Sequence, residues 1–149
     1  MTLKELSQLY WLNREIEMDT KRLEELEAKA GGLASPSLSG MPHGNEVSSK
    51  VEREAVEIAS LKEIIESKKK RCLVERRILE EFIATIPDSL TRQIFTYRFV
   101  NGLQWGQVAA SIGGNNTADG VRKICNRYVK KLENQALLIP KVDLAHPPA

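Results

Sequence analysis

The chain has 149 residues, of which 28% are charged and 5% aromatic, a composition that suits long solvated helices better than a thick globular interior. No run approaches the roughly 18 apolar residues of a membrane span, and acidic side chains come too early for a secretory signal, so a cytoplasmic chain with no membrane partner is expected. The formal charge of +2 is unevenly spread: residues 87–132 hold seven basic and two acidic side chains, whereas residues 1–86 hold 14 basic and 16 acidic ones.

In chain order, Thr2 and Glu5 have the spacing of a capping box. No Gly or Pro follows until Gly31-Gly32, which predicts a helix to about residue 30. Its apolar side chains recur at Leu9, Ile16 and Leu23, with Leu12 and Leu26 on the adjoining row, the spacing of a narrow seam for another helix. Asn13 and Asp19 interrupt that seam, and Tyr10 and Trp11 are expected in the core of a hairpin or dimer. Residues 31–48, rich in Gly, Ser and Pro, read as a flexible linker that lets the chain double back. A second helix is expected from Ser49, capped with Glu52 and stapled by Val47, to about Thr85. Its seam is Val51, Ile58, Ile65, Cys72 and Leu79, with Leu61 and Phe82 beside it and Glu54, Lys68 and Glu75 as polar interruptions. The run Lys68–Arg71 reads as a solvated face. Neither helix can bury its seam alone, and an antiparallel, coiled-coil-like hairpin over residues 1–86, doubled into a homodimer, is the economical solution.

Ile86-Pro87 stops the second helix, because proline disfavours helical geometry in the residue before it. Three short helices are expected over 87–132. The first starts at Pro87-Asp88-Ser89 and carries Leu90, Ile94, Phe95 and Phe99. The second, from Gln104 to Ile112, presents Trp105, Val108, Ala109 and Ile112 at helical spacing, with Trp105 expected in the core. After the turn Gly113-Gly114-Asn115-Asn116, Thr117 caps a third helix with an inward row of Val121, Cys125, Tyr128 or Val129, and Leu132. Residues 133–149 read as a flexible tail. The fold class is therefore all-α: a long helical hairpin followed by a three-helix module containing a helix-turn-helix.

The outward positions of the third helix are Arg122, Lys123, Asn126, Arg127 and Lys130. A helix with that face fits the major groove of double-stranded DNA, and backbone amides at the Thr117 end add a phosphate-binding contribution. The candidate DNA-binding residues are thus Thr117, Arg122, Lys123, Asn126, Arg127 and Lys130. No acid pair, nucleophile constellation or phosphate loop points to an enzyme, and no cofactor is implied. Cys72 and Cys125 read as packed thiols, and neither His43 nor His146 has the neighbours of a metal site.

The module resembles region four of bacterial sigma factors. The residues that carry the likeness are Ile86-Pro87, Arg98-Phe99, Gly102-Leu103-Gln104-Trp105, Val108-Ala109 and Ile112-Gly113, then Thr117, Val121, Cys125, Arg127, Lys130-Lys131 and Leu132. The whole chain resembles short phage and prophage proteins of Gram-positive bacteria described as sigma-region-four-like or as late-gene transcriptional regulators. It departs from that pattern in a turn about two residues longer, in Gly120 inside the recognition helix, and in Ile124 where a basic residue is common. The resemblance implies a DNA-binding transcriptional regulator, with the hairpin dimerising or holding a partner such as RNA polymerase. Two other readings use the same parts: the small subunit of a phage packaging terminase, and an RNA polymerase adaptor that does not touch DNA.

Overall fold

The computed structural model describes residues 1–32 and 46–138, and every regular element among them is helical. The elements are α1 (Leu3–Leu6), α2 (Gln8–Gly32), α3 (Glu46–Ala84), α4 (Ser89–Phe95), a π-helical turn (Thr96–Val100), α5 (Trp105–Ile112) and α6 (Ala118–Leu138). Of the expected linker and tail, 33–45 and 139–149 lie outside the described residues, as do both histidines. The rest of those two segments is helical: α2 runs through Gly31 and Gly32, α3 begins at Glu46, and α6 continues six residues past Leu132. No helix among the described residues is long and apolar enough to cross a membrane.

Two compact units divide the chain, and the division falls inside both long helices. One unit is Trp11–Glu75. The seam expected from the heptad-like spacing is its interior: Leu12, Leu61 and Ile65 are buried, and Ile16, Leu23, Leu26, Ile58 and Cys72 are half-buried. Val51, at the end of the row, is exposed. Polar side chains stitch the same helices together. Arg22 pairs with Glu57 at 3.0 Å, Lys62 with Glu27 at 3.2 Å, and the Cys72 thiol donates to Asn13 Oδ1 at 3.4 Å. Asn13, which breaks the apolar seam, thus meets the one sulfur in the opposing row.

Lys68 takes the seam position that its row implies and not the solvated face expected of its run. It lies half-buried in the seam, donating to Asp19 at 2.6 Å and pairing with Glu15 at 3.3 Å, while Lys69, Lys70 and Arg71 are exposed. Its hydrogen bond to Asp19, aided by Glu15, holds the ammonium above the ordinary lysine value of 10.5. A raised value means that the pair's contribution is complete below the unfolded-state value and is lost as pH rises through the folded one. The melting temperature of this unit should therefore fall beyond pH 10.5, and Lys68→Met should make that fall smaller in a thermal scan by circular dichroism.

Two further expectations are corrected here. Ser49 is an interior residue of α3 rather than its cap: its hydroxyl and carbonyl oxygens accept from Arg53 at 3.1 and 3.2 Å. Trp11 is 60% exposed and Tyr10 42%, so neither is in a hairpin core within one chain. Both lie between Leu9 and Leu12 in sequence and off the row that those leucines form.

The other unit joins Met1–Tyr10 to the described residues from Arg76 onward. Its N-terminal turn is the capping box expected from spacing: the Thr2 N–H donates to Glu5 Oε2 at 2.7 Å and the Glu5 N–H to Thr2 Oγ1 at 3.2 Å. The helix does not continue unbroken, because Ser7 separates α1 from α2. Leu79 and Ile83 from the end of α3 and Ile86 just after it are buried, together with Leu6, Leu9, Ile94, Phe95, Phe99, Val108, Val121, Cys125 and Val129. At the centre stands Phe95, whose ring lies 5.3 Å from Phe99, 5.6 Å from Tyr128 and 6.3 Å from Phe82 between centroids. The first two are edge-on geometries, in which the positive ring edge meets the negative face. Asp88 caps α4, accepting from the Thr91 N–H at 3.0 Å and its hydroxyl at 2.6 Å, so Pro87 precedes the cap rather than filling the first turn.

Candidate nucleic-acid interface

The turn and the start of α6 are built by three small residues and two polar ones. Gly113 and Gly114 both take positive φ, +78° and +66°, a conformation that costs a residue with a side chain but not glycine. Asn116 Nδ2 donates back to the Gly113 carbonyl at 2.8 Å and closes the turn. Thr117 then accepts the Gly120 N–H on its hydroxyl at 3.1 Å, satisfying one of the donors that a helix start leaves open. A Cβ at Gly120 would lie 3.1 Å from Thr117 Oγ1, so the hydroxyl would have to give by a few tenths of an ångström.

From this cap, α6 separates its two faces cleanly. Val121, Cys125 and Val129 are buried, with Ile124, Tyr128 and Leu132 half-buried beside them. Every one of the candidate residues Thr117, Arg122, Lys123, Asn126, Arg127 and Lys130 is exposed. So is Lys131, which is not among the candidates although its four-residue spacing from Arg127 places it on the same face.

The basic surplus of the module resolves into two kinds of residue. Arg92 and Arg98 are structural. Arg92 Nη1 donates to the carbonyls of Ile86 at 2.6 Å and Pro87 at 3.1 Å, securing the corner after α3. Arg98 Nη1 donates to the Leu103 carbonyl at 2.9 Å, and its guanidinium stands 4.6 Å from the centre of the Trp105 ring. Trp105 is accordingly half-buried under a cation instead of enclosed in the core. The five remaining cations all belong to α6.

Asp119 is the one acid among them, and nothing in its sequence surroundings singles it out. Its carboxylate pairs with Arg122 and with Lys123, each at 2.8 Å, and those two cations, Lys123 first, hold it below the ordinary value of 3.8. An anion in the first turn also complements the helix dipole. The consequence is a pre-set geometry: two cations are drawn toward the N-terminal end of α6 before any ligand arrives.

Beneath this face, burial pushes the Cys125 thiol up to about 12, with Arg98 opposing that shift. At neutral pH iodoacetamide should label half-buried Cys72 well before Cys125, and Cys125 only once the unit unfolds. Mass spectrometry of the labelled chain reads this directly; equal labelling of both in the native state would show that α6 is not packed as described. Among the described residues no group of three His, Cys, Asp or Glu side chains could hold a metal ion. Compared with protein-family models, with curated proteins and with solved structures, the chain finds no match.

Proposed function

We propose that the chain is a DNA-binding transcriptional regulator of the phage type. In this reading α5, the glycine turn and α6 act as a helix-turn-helix, with α6 as the recognition helix in the major groove and α5 bracing it across the backbone. The observation that carries the reading is the division of α6: one stripe packs into the unit, and the opposite face exposes five cations and Asn126. Arg and Asn on such a face can reach guanine and adenine edges, while the arginines, the lysines and the amides beside Thr117 all suit phosphates. The ion pairs between α2 and α3 support an antiparallel hairpin in Trp11–Glu75. That hairpin dimerises the protein or holds a partner such as RNA polymerase.

The test is the salt dependence of binding to duplex DNA. If about five phosphates are neutralised, log affinity against log salt should fall with a slope near −4 to −5. Fluorescence anisotropy on a labelled duplex over a salt series measures it. A slope near zero, or no binding at low salt, would overturn the reading.

A further inference from the structure

The nucleic-acid reading makes no use of the first ten residues, yet these belong to the same compact unit as α4–α6. The segment is held at both of its ends. The Thr2–Glu5 capping box closes α1 upon itself, and Leu6 retains no exposed surface. Leu9, on the first turn of α2, is buried as well. Tyr10 reaches the bend that launches α5. A Cβ built on Gly102, where φ is +69°, would lie 3.9 Å from Tyr10 Cδ2, so the ring sits against the glycine backbone. The next residue, Leu103, donates its N–H to the Tyr97 carbonyl and accepts Arg98 on its own carbonyl, and α5 starts two residues later. Tyr10 therefore meets the bend before α5, and Leu6 and Leu9 are buried within the unit that also holds α4–α6.

We propose that Met1–Tyr10 is a strap completing the α4–α6 unit, and that its docking is thermodynamically linked to occupancy of the basic face of α6. Release of the strap loosens α5 and α6 and weakens nucleic-acid binding. By reciprocity, bound DNA holds the strap more tightly. The link rests on the DNA-binding reading; the docking of the strap does not.

Hydrogen exchange on the full chain, read by mass spectrometry, tests both halves. Leu6→Ala should speed exchange of α4, α5 and α6 amides by about tenfold or more, because a fully buried leucine is removed from their unit. Leu23→Ala, in the other unit, should leave those amides alone. Should Leu6→Ala fail to fold, Tyr10→Ala keeps the question open to measurement. It should speed exchange at Leu103 and the start of α5. A Leu6→Ala effect confined to residues 3–32, or Tyr10→Ala matching wild type, overturns the strap. In the wild type, a 20-base-pair duplex should slow exchange across residues 3–9. Duplex that binds without slowing them overturns the linkage. Duplex that does not bind at all counts against the DNA reading, while the variants still decide the strap.

Discussion

Replacing Arg122, Lys123 and Arg127 together by alanine should weaken binding to duplex DNA roughly five-hundredfold at about 0.1 M salt. The figure follows from counterion release: each phosphate that is no longer neutralised takes about 0.9 off the slope of log affinity against log salt, so three such phosphates account for about 2.7 decades between 1 M and 0.1 M. The structure adds a term of the same sign. With Arg122 and Lys123 gone, the Asp119 carboxylate is left without the partners that now neutralise it, and it faces a polyanion directly. Helicity should be unchanged, because all three side chains are exposed and surface ion pairs contribute little to stability. Anisotropy titrations beside circular dichroism spectra separate the two effects. Unaltered affinity in a folded triple variant would sink the assignment of α6 as the recognition helix.

The second large effect is on folding. Phe95→Ala should destabilise the C-terminal unit by about 3–5 kcal/mol, the usual range for removing a buried aromatic ring from a packed core. Phe95 merits the upper end, since it has no exposed surface and meets rings on α3, on the π-helical turn and on α6. Urea unfolding followed by Trp105 fluorescence, in a Trp11→Phe background so that only one indole reports, would give the shift. A midpoint unchanged from the parent would mean that this aromatic cluster is not the centre of the unit. Because two units are present, a single two-state curve is not assumed, and the reporter is chosen to lie in the unit that is perturbed.

Much of this fold was legible in the chain because helix seams are written in local spacing. The rows Leu9, Ile16 and Leu23 with Leu12 and Leu26, and Val51, Ile58, Ile65, Cys72 and Leu79 with Leu61 and Phe82, follow helical spacing, and all but the exposed Val51 prove buried or half-buried. The inward row Val121, Cys125 and Val129 was legible for the same reason, as was the Thr117 cap. What local spacing could not reveal depends on residues far apart in sequence. Nothing in the first ten residues announces that they pack with a module at the other end of the chain. Arg98 looks like any other cation until its carbonyl partner and the Trp105 ring are in place. Spacing does place Lys68 among the seam positions, but its partners there, Asp19 and Glu15, lie on the other helix and have no signal in its own surroundings. Thr96–Val100 reads from sequence as ordinary helix, and the extra residue per turn that makes it a π-helical segment has no signal in the apolar spacing.

The clean division of α6 also bears on how such a protein can change. Its folding stripe occupies Val121, Cys125 and Val129, while the exposed positions 122, 123, 126, 127, 130 and 131 make no contribution to that stripe. Substitutions at exposed helical positions usually alter stability by about half a kilocalorie per mole. The outward face can therefore be rewritten residue by residue with little risk to the scaffold. Related copies could diverge in what they bind while keeping one architecture, and a designer could exchange the face without redesigning the core.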